Sequence, residues 1–310
     1  MLKEKILQKQ TGIITYGITP PKQNNSADKI AEVAEKQIER IQALDIDVLI
    51  VYDIQDDAER TQEERPFPFL QTVDAALYAN EYLKALPIPK IVYRCVGKYT
   101  PEELTAWLTA PYTREDRFSV FVGASSRNQE VSLNMADAYQ LKARYNPALY
   151  LGGVTIPERH SKTRDEHLRI IHKMEQGCTF FVSQAVYNVE ACKNLLSDYY
   201  YECQNREIEM VPVLINLSPC GSMKTLQFMK WLGINIPQWM ENELQHSQDI
   251  LDKSIHLSKQ LFEELLDFSL AKGIPLGCSI ESVSIRKVEI EASIQLVRDI
   301  QAICKKAGKC

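Results

Sequence analysis

The chain has 310 residues, with 36 Lys plus Arg against 41 Asp plus Glu, a net charge of -5 and no long block of either sign, so nucleic acid is not an expected partner. No apolar run reaches the length of a bilayer span, and the opening MLKEKILQKQ lacks the apolar core of a secretory signal; no membrane partner and a cytoplasmic location are expected. The eight cysteines, at 95, 178, 192, 203, 220, 278, 304 and 310, show no CxxC or Cys/His spacing and read as reduced thiols, with Cys310 the expected exposed one.

Residues 12–18 form a β-rich run broken at Pro20-Pro21, after which Ile30, Val33, Ala34, Ile38, Ile41 and Leu44 recur at helical spacing. Residues 47–53 read as the second strand, with a polar exit carrying Asp53, Asp56, Arg60 and Arg65, and residues 90–96 as the third. Thr100-Pro101-Glu102-Glu103 is a helix start, with Thr100 as N-cap, Pro101 at the first helical position and Glu103 closing a capping box. Residues 118–122 give a fourth strand that ends at Gly123-Ala124-Ser125-Ser126.

A fifth strand is read at 148–151, stopped by Gly152 and Gly153, and a sixth at 179–182. Between them Leu168, Ile171 and Met174 mark the apolar stripe of a helix that Gly177 ends. Asn188 caps a helix running toward Cys203, and residues 210–216 make the seventh strand. After a helix near Lys224 comes a short helical insertion around 234–247, expected to pack through Trp239. A long helix at 248–272, an eighth strand at 274–280 and a last helix at 286–305 complete the chain.

Eight strands, each followed by helical pattern, predict an α/β fold, a (β/α)8 TIM barrel forming a single domain over residues 1–310. An open doubly wound sheet would carry a glycine-rich phosphate turn after its first strand, and Ile18-Thr19-Pro20-Pro21 is no such turn.

In a parallel barrel, ligands bind at the carboxyl ends of the strands. Those ends supply Asp53 and Gln55, Arg94, Ser125, Glu158 and His160, Gln184, Asn216, Ser218 and Glu281. No HxH, HExxH, GxSxG or Walker pattern is present, which disfavours hydrolysis by a metal or a serine nucleophile and predicts no metal. A rim of amides and hydroxyls suits a planar heterocycle, for which Gln184 offers a paired donor and acceptor. Arg169 and Lys173, four apart on one helical face, read either as a pair of cations for a phosphate or as a solvated face.

The segments GITPPK, GGVTIPERH, FFVSQAVYN and INLSPCGSMKTLQFMKWLGINIPQWM, in this order, resemble the methylenetetrahydrofolate reductase family over about residues 12 to 300. The resemblance implies a TIM-barrel oxidoreductase of one-carbon metabolism and methionine biosynthesis. In such an enzyme FAD takes hydride from NAD(P)H and passes it to the methylene carbon of a folate. It implies that Gln184 contacts substrate, that Lys173 lies near the flavin phosphates, and that Arg169 and His160 fall close to further cofactor-binding positions.

Two positions depart from the family pattern. Gly17 stands where the catalytic glutamate belongs, and Gly123-Ala124-Ser125 replaces the Arg-Gly-Asp stretch whose aspartate faces the flavin ring, leaving Ser125 as a substrate-side candidate. A replacement acid is expected from a neighbouring strand end, with Glu281 first and Asp53 second, since an ion pair with Arg60 or Arg65 would equally explain Asp53. Two other readings stay open: a flavin-free folate-dependent methyltransferase or demethylation enzyme, and a non-catalytic folate-binding subunit. A homo-oligomer or a partner subunit is compatible with each.

Overall fold

The structure, a computed structural model, describes residues 2–56, 61, 64–111, 117–124 and 131–309. Its strands are β1 (Ile14–Ile18), β2 (Val48–Val51), β3 (Lys90–Cys95), β4 (Phe118–Val122), β5 (Tyr150–Thr155), β6 (Cys178–Ala185), β7 (Val213–Leu217) and β8 (Leu276–Glu281). They follow one another in chain order around a closed barrel, and the registered pairs are parallel. This is the (β/α)8 barrel that the sequence predicts.

The helices are α1 (Leu2–Leu7), α2 (Ala27–Ile41), α3 (Ala75–Leu77), α4 (Pro101–Thr109), α5 (Met135–Tyr145), α6 (Pro157–Thr163), α7 (Glu166–Glu175), α8 (Val189–Arg206), α9 (Met223–Trp231), α10 (Gln238–Gln245), α11 (Ile250–Lys272) and α12 (Lys287–Lys306). The chain divides into two compact units, one made of Met1–Tyr16, Val154–Glu175 and Thr179–Cys310, the other of Gly17–Gly153 and Gln176–Cys178.

In the second of these units β2 reads Val-Leu-Ile-Val and is buried throughout, as expected for a parallel strand covered on both faces. The glycines expected to stop β5 lie inside it, Gly152 opposite Val120 and Gly153 opposite Phe121. Glycine weakens a strand without ending it, and the ladder to β4 carries this one through. The capping box on α4 forms as predicted: Glu103 N–H donates to Thr100 Oγ1 at 3.2 Å, and Thr100 N–H donates to Glu103 Oε2 at 2.8 Å.

In the other unit Asn188 caps α8 by accepting from Ala191 N–H at 3.1 Å. Ile170 and Ile171 carry the buried stripe of α7, whereas Leu168, expected in that stripe, is 40% exposed. A similar correction applies to α10. Met240 and Leu244, four apart, bury this helix into a core with Leu226, Met229, Ile234 and Ile236, and Trp239, one residue off that face, is 57% exposed. The seven described cysteines are free and buried; Cys310 lies outside the described residues.

Candidate functional site

Within the unit Gly17–Gly153, the ends of β2 to β4 carry a polar network. Asp53, two residues past β2, is buried and accepts from Cys95 N–H at 2.8 Å, from the Tyr99 hydroxyl at 2.8 Å and from the Lys98 ammonium. Its ion-pair partner among the described residues is Lys98, in the turn after β3; of the two arginines that the sequence offered, Arg60 lies outside the described residues.

Arg94, at the end of β3, is also buried. Its guanidinium donates to Asp74 at 2.5 Å and to the Tyr99 hydroxyl at 3.0 Å, and sits 4.7 Å from the ring centroids of both Tyr99 and Trp107. Asp74 in turn caps α3, accepting from the Ala76 and Leu77 N–H groups at 2.9 Å. Burial alone would raise the Asp74 carboxyl; Arg94 and the cap N–H outweigh it and hold its pKa below the ordinary value. Gln55 donates to Gly123 O at 2.9 Å, while its buried Oε1 has no partner among the described residues. Ser125 lies outside the described residues.

Gly17 is where this unit departs most from the family pattern. A Cβ at position 17 would fall 2.6 Å from Tyr52 Cε2 and 3.0 Å from its hydroxyl oxygen. Tyr52 follows β2, and its ring lies edge-on to Tyr93 at 4.7 Å. The volume in which a side chain at position 17 would begin is therefore filled by an aromatic ring.

The other unit supplies the ends of β6, β7 and β8. Gln184, the next-to-last residue of β6, donates through Nε2 to Leu232 O at 2.9 Å. Asn216 N–H donates to Ser183 Oγ at 2.9 Å. The Ser218 hydroxyl lies 3.3 Å from both Asn216 Oδ1 and Glu281 Oε1. Glu281 closes β8 as expected, partly buried beside these groups.

The residues that the resemblance gives to a flavin are each engaged within the protein. Lys173 donates to Val154 O at 2.6 Å, Arg169 meets Asp165 at 3.2 Å and Glu166 at 3.8 Å, and His160 Nε2 lies 3.0 Å from Asp198 Oδ2 with His167 edge-on to its ring. As placed, the three side chains act as internal anchors.

Glu158 is different in kind. Pro157 opens α6, and Glu158 follows it, buried, with neither carboxylate oxygen reached by a partner among the described residues. Burial pushes its pKa up to about 7, against a small lowering by its own backbone N–H and by Lys162. With Ser161 and Lys162 of α6, Asn188, Lys230 and Asn235, it lines a cavity of about 380 Å³. Sequence reading placed Glu158 on the rim and nothing in its spacing set it apart. Tyr52 and Lys98 were missed as site residues, because each acts through a contact between strand ends.

The family model described as methylenetetrahydrofolate reductase matches residues 128–275. A solved structure titled as an uncharacterized protein from Clostridium thermocellum that binds two copies of 5-methyl-5,6,7,8-tetrahydrofolic acid is 57% identical, covering 98% of this chain and 100% of that one at a TM-score of 0.87. A solved structure of 2,3-dimethylmalate lyase, a PEP mutase/isocitrate lyase superfamily member, is 12% identical over 99% of this chain and 98% of that one, at a TM-score of 0.42. No curated protein matches the chain. The barrel, the four co-linear segments and the matched family model agree, and the chain belongs to the methylenetetrahydrofolate reductase family.

Proposed function

We propose that this chain binds a reduced folate of the 5-methyl type and does not carry out the hydride reduction of its family. The ligand class is supported by the 57% identical relative and its printed ligand. Gln184, Asn216, Ser218 and Glu281, all in one unit, offer the amide, hydroxyl and carboxylate groups that a pterin ring needs.

The observation that carries the chemical half of the reading is Tyr52 against Gly17. A glycine cannot protonate the folate nitrogen, and general-acid help contributes about 10²- to 10⁴-fold in rate. The acid has not merely been trimmed away, because the adjacent ring occupies the space where it would stand. The engaged state of Lys173, Arg169 and His160 supports a flavin-free protein in the same direction. When bound, FAD would supply hydride taken from NAD(P)H.

The test combines an absorption spectrum of freshly purified protein with calorimetric titration of 5-methyltetrahydrofolate. Folate binding without flavin absorbance, and without flavin uptake after incubation with FAD, is the expected result. Gln184→Ala should weaken binding by about 1 to 3 kcal/mol if the amide faces a ring polar group that it leaves unpaired. Flavin at one per chain with folate-dependent NAD(P)H oxidation would overturn the proposal.

Reduction with Glu281 as the acid is a second reading, favoured by the carboxylate at the end of β8 beside the Ser218 hydroxyl. Asp53 is the weaker candidate because three donors already hold it. The pH profiles of wild type, Glu281→Gln and Asp53→Asn would decide: a reductase whose rate survives both changes has its acid elsewhere.

A further inference from the structure

A buried carboxylate normally has its hydrogen bonds made by the protein. Leaving one dry and unpaired costs several kcal/mol, so the group either stays neutral or is retained for a partner that arrives later. Glu158 has no such bonds among the described residues, although Glu166, eight residues on, collects Ile156 N–H at 3.0 Å, Thr155 Oγ1 at 3.3 Å and Arg159 at 3.1 Å. The contrast shows that this region can satisfy a buried carboxylate and has not done so at Glu158.

Named contacts fix the walls of the cavity beside Glu158. Gly233, at φ +83°, ends α9 in the left-handed region and turns residues 233–236 into one wall. Gln184 holds that turn by its bond to Leu232 O, and Asn188 Nδ2 holds it again through Asn235 Oδ1 at 3.1 Å. Glu158, Ser161 and Lys162, spaced three and four apart on α6, form the facing wall. About 380 Å³ is within the range of small-molecule sites.

We propose that this cavity is a second folate site, in which Glu158 accepts the paired N–H donors of the aminopyrimidinone edge of the pterin and Lys162 meets the anionic tail. The inference rests on the folate reading above. A carboxylate is a two-oxygen fork, and the pterin ring N–H and 2-amino group lie side by side in matching geometry, as in other bidentate charge-assisted pairs. Both oxygens are closed off from solvent, and the pairing requires the Glu158 side chain to turn its carboxylate into the cavity that the residue lines. Lys162 is exposed at the rim, whereas Lys230 is already held by both oxygens of Glu241 at 2.9 Å. The amides of Asn188 and Asn235 complete a polar lining that is neither a metal cage nor an apolar sink.

The experiment is calorimetric titration of the full chain with 5-methyltetrahydrofolate, run on wild type and Glu158→Gln. Two molecules bound per wild-type chain, falling to one in Glu158→Gln with the remaining affinity unchanged, supports the inference. One per chain in both proteins overturns it and leaves the folate reading standing. No binding in either overturns the folate reading and this site with it. Should Glu158→Gln fail to fold, the wild type alone decides, by replacing pterin with its 2,4-dioxo analogue, which offers an oxygen in place of the 2-amino group. The second site should lose about tenfold or more, the worth of one hydrogen bond to a charged group; equal occupancy by both compounds overturns the proposal.

Discussion

Asp53 and Glu158 are equally buried, each 6% exposed, and they live in opposite circumstances. Asp53 has three donors, from Lys98, Cys95 N–H and the Tyr99 hydroxyl. Glu158 has none among the described residues, and its pKa is displaced to about 7. Burial therefore does not tell what a carboxylate is for; the partners do. A saturated carboxylate is an anchor, here tying the exit of β2 to the turn after β3. An unsaturated one is a cost to the fold, and it faces a cavity where a ligand could relieve that cost.

The largest effect should come from breaking the satisfied side. Asp53→Ala orphans the Cys95 N–H, leaves the Lys98 ammonium with only the Ile54 carbonyl at 2.9 Å, and leaves the Tyr99 hydroxyl with only Asp74 Oδ2 at 3.3 Å. Removing one partner of a buried pair typically costs about 3 to 5 kcal/mol. Lys98 is only partly buried and can recover some water, so the lower end of that range is expected. Urea unfolding of the two proteins would measure it. A loss under about 1 kcal/mol would mean that the network does not anchor the unit.

The unsatisfied side should respond with the opposite sign. The folded value of about 7 for Glu158 lies above its ordinary 4.5, so between these pH values the folded state holds a proton that the unfolded chain has released. Its contribution is fully present below pH 4.5 and is lost as pH rises through 7. Glu158→Gln cannot ionise and should be the more stable protein at pH 8, by up to about 3 kcal/mol, with little difference at pH 4. The groups around it are Lys162 on its own helix, Cys192 on α8, whose thiol is pushed up by burial and then by Glu158, and Lys230 on α9. Parallel stability curves for the two proteins from pH 4 to 8 would contradict the assignment.

The barrel was legible because eight apolar runs alternate with helical periodicity, and the caps at Thr100 and Asn188 were legible because capping is local. What required neighbours was not. The ladder to β4 carried β5 through two glycines, and one residue of helical phase separated buried Met240 from exposed Trp239. The same limit applied to the site. The sequence showed that Gly17 lacks an acid, but not that Tyr52 fills its place, since that contact joins the exits of two strands. It showed Asp53 and Glu158 as two rim carboxylates and could not rank them, because Lys98 is reached only through the fold.

The smallest effect sharpens the comparison most, because it asks whether Glu158 truly lacks protein partners. Lys162 is the one side-chain charge that favours its ionised form. In Lys162→Ala the downward step in stability that Glu158 causes should extend to higher pH and deepen, since its carboxyl loses the cation that helps it ionise and the cost of ionising grows. The midpoint of the Glu158 titration itself should move upward. An exposed lysine acts through water, so the change should be at most about 0.5 kcal/mol at low ionic strength. It should fade near 1 M salt, where screening acts over roughly 3 Å. Lys230→Ala serves as the control, because Glu241 already balances that charge and the titration should stay where it is. A large shift from either lysine, surviving high salt, would mean that Glu158 is held by a direct ion pair. The contrast with Asp53 would then disappear, and with it the reason for expecting a ligand.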